Sequence, residues 1–163
     1  TYKYVTNDPA KARFYTLKNG LTVILSPTNK DPRIQAYVAI KAGSKTDPAT
    51  NTGLAHYLEH MLFKGTDKYG SLDWSKEKVE LEKIDALYEQ YNSTKDEVQR
   101  KAIYKKIDSV SGVAAKYAIA NEYDKMMSAM GAQGTNAFTS FDHTVSTDDV
   151  PRRSLDTYLA VQP

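Results

Sequence analysis

The chain has 163 residues, with 22 Lys and Arg against 20 Asp and Glu and a net charge of +2. That balance offers no electrostatic footprint for nucleic acid, and no apolar run is long enough to cross a membrane. Cysteine is absent, which excludes a disulfide framework and a thiolate metal site. The length suits one domain with a real core.

Residues 1–11 are polar and irregular. Residues 13–17 and 21–25 flank Asn19-Gly20, a strong short signal for a β-hairpin. Residues 26–33, with Pro27 and Pro32, read as a loop. In residues 34–42, Ile34, Ala36, Val38, Ile40 and Ala42 alternate with polar positions such as Gln35 and Lys41, which predicts a half-buried strand. Residues 43–51 are turn-rich. From Gly53 to Phe63, Leu54, Leu58, Met61 and Leu62 form an apolar stripe at helical spacing, which predicts a helix packed into the protein.

That helix carries His56-Tyr57-Leu58-Glu59-His60, which holds two of the chain's three histidines. Residues three and four apart share a helix face. Two imidazoles suit zinc, and a carboxylate that need not bind the metal suits a general base. The order His-x-x-Glu-His is the inverse of the commoner His-Glu-x-x-His and predicts zinc-dependent peptide hydrolysis. His56 and His60 are the candidate metal ligands and Glu59 is the candidate base.

Residues 71–130 have another character. Leu81, Ile84, Tyr88 and Tyr91 repeat at three and four, as do Ile103, Ile107, Val110, Ala114 and Tyr117. Thr94-Lys95-Asp96-Glu97 between them reads as a capping box that starts the second helix. The pattern predicts a helical hairpin over about 73–120, either a charged surface excursion or a lid or docking arm. Met130-Gly131-Ala132 ends a further helix, with Gly131 as its cap. Residues 133–140 and 144–146 are strand candidates. Val150-Pro151 is expected to begin a last helix through Leu155 and Leu159.

Three blocks carry a family resemblance. Gly53-Leu54-Ala55-His56-Tyr57-Leu58-Glu59-His60-Met61-Leu62-Phe63-Lys64-Gly65-Thr66 resembles the signature of the pitrilysin family of zinc peptidases. Asn136-Ala137-Phe138-Thr139-Ser140 matches a second family block, and Leu17-Lys18-Asn19-Gly20-Leu21-Thr22-Val23 its first hairpin. The first block is highly specific; the other two would mean little alone.

The resemblance implies an α+β fold, an antiparallel sheet with packed helices, into which the helical hairpin is inserted. It implies a zinc endopeptidase that acts on peptides or unfolded segments. Asn136, Ala137, Phe138, Thr139 and Ser140 are then an edge strand to which substrate adds as a further strand. The third zinc ligand is expected to be a glutamate beyond Pro163. No glutamate follows Glu122, and Glu77, Glu80, Glu82, Glu89, Glu97 and Glu122 read as solvated faces of the hairpin region. His143 reads as a rim or surface residue, and Asp142, Asp148 and Asp149 are weaker candidates. The chain thus resembles the first part of a longer peptidase's first domain, with a second domain or partner subunit as its expected companion. The alternative is a non-catalytic homologue that serves as a peptide-binding scaffold, for which intact His56, Glu59 and His60 have no physical use. The chain begins at Thr1 without a methionine or a signal peptide, as a processed or an engineered start would. Similar bacterial proteins are exported, which points to the periplasm or cell envelope.

Overall fold

The computed structural model describes residues 2–162. Its strands form two antiparallel sheets of three. The first is a meander of β1 (Lys3–Tyr4), β2 (Arg13–Thr16) and β3 (Thr22–Leu25). Its β2–β3 turn is the expected Asn-Gly turn. Gly20 takes φ 89°, a conformation that favours glycine, and Leu17 donates its N–H to Leu21 at 2.8 Å.

The second sheet has the order β4 (Arg33–Ile40), β6 (Thr144–Pro151), β5 (Gln133–Thr139). β4 and β6 pair over their whole length, from Arg33 with Pro151 to Ile40 with Thr144. β5 lies at the edge and pairs only with β6, with an irregularity between Gln133 and Asn136.

One continuous sheet was the expectation, and two sheets are the finding. Alternation along residues 34–42 fixes which side chains share a face, but it says nothing of the neighbouring strand. The neighbour of β4 is β6, more than 100 residues away, and not β3 across the proline-bearing loop.

Helix α1 (Leu54–Leu62) packs on β5 and β6. Helices α4 (Glu122–Ala129) and α5 (Leu155–Val161) pack on β5 and β6 respectively. The core is small: Met127, Val150 and Tyr158 are buried, with Ile34, Ala36, Tyr123, Met130, Ala132 and Leu155 packed around them. The end of α4 follows the expected pattern. Gly131 has φ 83°, and Ala132 donates to the Met127 carbonyl at 2.9 Å.

Helices α2 (Trp74–Ser93) and α3 (Glu97–Ala114) form an antiparallel hairpin whose main contacts are with each other. Its stem is tied by Leu72 N–H to the Tyr117 carbonyl at 2.7 Å, Ile119 N–H to the Gly70 carbonyl at 2.8 Å, and the Gly70 N–H to the Glu122 carboxylate. On α3 the expected seam holds: Ile107 and Ala114 are buried, and Ile103 and Val110 are half-buried. On α2 the seam is Ile84, Leu87 and Tyr91, while Leu81 and Tyr88 stay exposed. The start of α3 also differs from expectation. Asp96, not Thr94, is its cap and accepts the Gln99 N–H at 2.8 Å, while Thr94 donates its hydroxyl to the Gln90 carbonyl at the end of α2.

Two further differences concern chain segments that were read too locally. Pro151 closes β6 instead of opening a helix; a short 3₁₀ turn, Arg152–Ser154, precedes α5. Proline at a strand end needs no ladder donor. The apolar stripe of α1 does not face inward either. Leu54, Leu58, Met61 and Leu62 are exposed, and the helix buries Glu59 instead. The helix docks along the β5 side of the sheet through that polar face, so the stripe lies on its flank.

Candidate metal and peptide site

The site is built where α1 meets the β5 edge. The segment before α1 is clasped to the end of β5, because Ser44 and Lys45 donate their N–H groups to the carbonyls of Ser140 and Phe141 at 3.0 and 2.9 Å. Gly43 is required there. A Cβ at this position would collide with the Ser140 carbonyl oxygen and the backbone of Phe141 and Asp142.

Helix α1 then starts at Gly53, whose φ of 87° is left-handed and which brings no capping side chain. Asp47 supplies the cap from six residues upstream. Its carboxylate accepts the Gly53 N–H at 2.7 Å and the Ala55 N–H at 2.8 Å. These are among the first N–H groups of the helix, which lack intrahelical partners. Nothing in the sequence singled out Asp47.

One turn apart on α1, His56 and His60 stand with ring centroids 4.8 Å apart and a 35° tilt, and both side chains reach solvent. Two nitrogens on a tetrahedral zinc stand about 3.3 Å apart. Rings this close can share one ion. Between them in sequence, Glu59 is 6% exposed. Glu59 is three residues from His56 and one from His60, and its burial contrasts with the exposure of both imidazoles.

Glu59 meets the sheet through one hydrogen bond. Thr139 of β5 donates its hydroxyl to Glu59 Oε2 at 2.7 Å. Thr144, directly across on β6, lies 3.2 Å from the Thr139 hydroxyl and donates to the Ala42 carbonyl at 2.9 Å. The second carboxylate oxygen, Oε1, has no hydrogen-bond partner among the described residues.

The five expected edge residues do not behave alike. Ser140 donates its N–H to the His143 carbonyl at 2.8 Å and gives its own carbonyl to Ser44, so its backbone is engaged on both counts. By strand alternation, Phe138 and Asn136 then turn their backbone toward β6, and Ala137 and Thr139 turn theirs to the open edge. The Phe138 side chain lies on the face opposite Glu59, against His143 with ring centroids 5.9 Å apart. His143 also contacts Asp142 at 2.6 Å, and this hydrogen bond, with a smaller contribution from Lys45, holds the Asp142 carboxyl below its ordinary range. Among the described residues, no three His, Asp or Glu side chains gather as a metal-binding group. The donor set therefore fits two zinc positions, not three.

The sequence pattern of insulinase, peptidase family M16, matches residues 22–96. Over these residues the chain is similar to members of this peptidase family. It is 44% identical over 63 residues to an insulin-degrading enzyme homolog of Dictyostelium discoideum, which covers 39% of this chain and 6% of that relative. A protease from Helicobacter pylori superposes over 93% of this chain and 24% of its own, with a TM-score of 0.58 and 26% identity. Pitrilysin shares the fold over 98% of this chain and 13% of its own, with a TM-score of 0.57 and 18% identity. Each of these proteins is several times longer than the segment it shares with this chain. The family match begins at Thr22 and includes α1 with its two imidazoles.

Proposed function

We propose that these residues form part of a zinc-dependent endopeptidase that cleaves peptides or unfolded segments. One observation carries the reading. A buried carboxylate, Glu59, sits on the helix that holds two adjacent imidazoles and touches the strand whose edge is open to a peptide.

His56 and His60 would hold the metal through neutral imidazole nitrogens. When bound, zinc supplies Lewis acidity to the peptide carbonyl and to the attacking water. Glu59 accepts a proton from that water and returns it to the departing amine nitrogen. The N–H and C=O groups of Ala137 and Thr139 bind the substrate main chain as an added strand, so main chain reads main chain and side-chain tolerance is broad. A third ligand, a carboxylate from outside these residues, would complete the metal's protein shell.

The test is peptide hydrolysis by the protein at the full length its gene encodes. Activity should stop with a chelator and return with zinc. Glu59→Gln should lose turnover and keep its metal, since the substitution removes the base and neither imidazole. Hydrolysis that persists in Glu59→Gln at near wild-type rate would refute the mechanism.

A further inference from the structure

We infer that Thr139 is a positioning residue: its hydroxyl fixes the Glu59 carboxylate, so the strand that takes the substrate also aims the base. The inference rests on the peptidase reading above and adds a residue to it.

The direction of the hydrogen bonds follows from counting hydrogens. Each threonine hydroxyl has one hydrogen to give. The Ala42 carbonyl can only accept, so the Thr144 hydrogen is committed to it at 2.9 Å. Thr144 Oγ1 is then left with lone pairs alone. The single hydrogen of Thr139 has two acceptors in reach, Glu59 Oε2 at 2.7 Å and Thr144 Oγ1 at 3.2 Å. The carboxylate is nearer and charged, and charge-assisted bonds are the stronger ones. Both hydroxyl hydrogens are then committed, that of Thr144 to the Ala42 carbonyl and that of Thr139 to the base, and the two threonine oxygens are neighbours with no hydrogen between them.

This geometry links the two working parts of the site. Thr139 offers its side chain to Glu59 on the helix face and its backbone to the open edge. No other described side chain hydrogen-bonds the Glu59 carboxylate. A substrate strand paired along Ala137 and Thr139 would press on the same residue that restrains the base. Groups that orient a catalytic side chain commonly matter through such small displacements.

The alternative is that Thr139 only satisfies a buried carboxylate so that α1 can dock. Valine has the shape of threonine without the hydroxyl and is a good strand former, so it separates the two roles. In the zinc-loaded full-length protein, Thr139→Val should lower kcat about 10- to 100-fold. KM should stay within about twofold, with the same zinc content. Thr139→Ser should recover most of the rate. Crystals of the variants should show the Glu59 carboxylate displaced in Thr139→Val and restored in Thr139→Ser. Thr139→Ala is read the same way should the valine variant not fold. Unchanged kcat in Thr139→Val, or a serine variant no better than valine, would overturn the assignment. If the wild type shows no chelator-sensitive hydrolysis, the peptidase reading fails by itself. The Glu59 position in the valine and serine crystals then decides whether Thr139 holds it.

Discussion

The Asp47 carboxylate reaches past a loop to accept the N–H of Ala55 at 2.8 Å, immediately before the first imidazole of the site. Its other oxygen accepts the Gly53 N–H. Anions at a helix N-terminus satisfy orphan donors and complement the helix dipole. Because α1 has no cap of its own, its first turn depends on this side chain. Asp47→Ala should lower stability by about 0.5–2 kcal/mol and weaken zinc binding at His56 and His60. Asp47→Asn, which keeps one acceptor, should fall between. Urea denaturation of the three proteins, with zinc calorimetry, checks this. Identical midpoints and affinities would show that the helix start needs no cap.

The open edge offers a sharper contrast. Ala137 turns its N–H to the edge and Phe138 turns its N–H to β6. Proline removes a donor wherever it is placed. Ala137→Pro should weaken the binding of an extended peptide while leaving the sheet intact. Phe138→Pro should break a ladder bond of the β5–β6 pair and lower the melting temperature. Peptide affinity and thermal unfolding of both variants would test the assignment. Equal loss of stability in the two would mean that the register of the free edge has been misread.

How much of this was legible in the sequence depends on range. The His56–Glu59–His60 spacing is local, and α1 realises it. The Asn19-Gly20 turn, the Gly131 cap and the α3 seam are local too, and they also stand as read. Local pattern failed where a partner comes from elsewhere. The Leu54–Leu58 stripe promised a buried face, but docking through Glu59 and Thr139, 80 residues apart, turned it outward. The β4–β6 pairing and the Thr144 bond to Ala42 span similar distances. Alternation and helical period have no means of naming such partners. The α3 start failed for a different reason: Thr94 and Asp96 both suit a cap, and Thr94 is held by the helix it ends.

A buried tyrosine should make stability fall in alkali. Tyr158 donates its hydroxyl to Asp148 Oδ2 at 3.0 Å, and Asp148 is itself 4% exposed, with Oδ1 lacking a partner among the described residues. Burial first, and then the charge of Asp148, pushes the Tyr158 phenol well above its ordinary value of 10.0. The raised folded value means that the unfolded chain loses this proton first. The contribution is present in full below about pH 10 and is lost as pH rises beyond it. Tyr158→Phe should be less stable by about 1–3 kcal/mol at neutral pH, since it strands the buried carboxylate. It should also show a shallower decline above pH 10. Tyr123, raised mainly by burial, should leave part of that decline in place. Denaturation midpoints from pH 7 to 11 measure both effects. Parallel curves for the two proteins would rule out Tyr158 as the source.

Metal affinity tests the account of the ligands. Residues 1–163 bring two imidazoles together, and no third His, Asp or Glu joins them among the described residues. A catalytic zinc takes three protein ligands and keeps one position open. With two, water must fill the remaining positions, and the ion gains less from the protein. These 163 residues alone should therefore bind zinc weakly and cleave peptides poorly. His60→Ala should abolish even the weak binding, whereas Glu59→Gln should leave it unchanged. The fold should not depend on the metal, because its core at Met127, Val150 and Tyr158 lies with α4, α5 and β6 and not with the imidazoles. Zinc calorimetry, a cleavage assay on the same sample and thermal unfolding with and without chelator cover these points. Tight stoichiometric zinc together with robust cleavage would mean that a carboxylate within these residues moves in to complete the site. In that event Asp142, beside His143 on the β5–β6 turn, would be the first substitution to make.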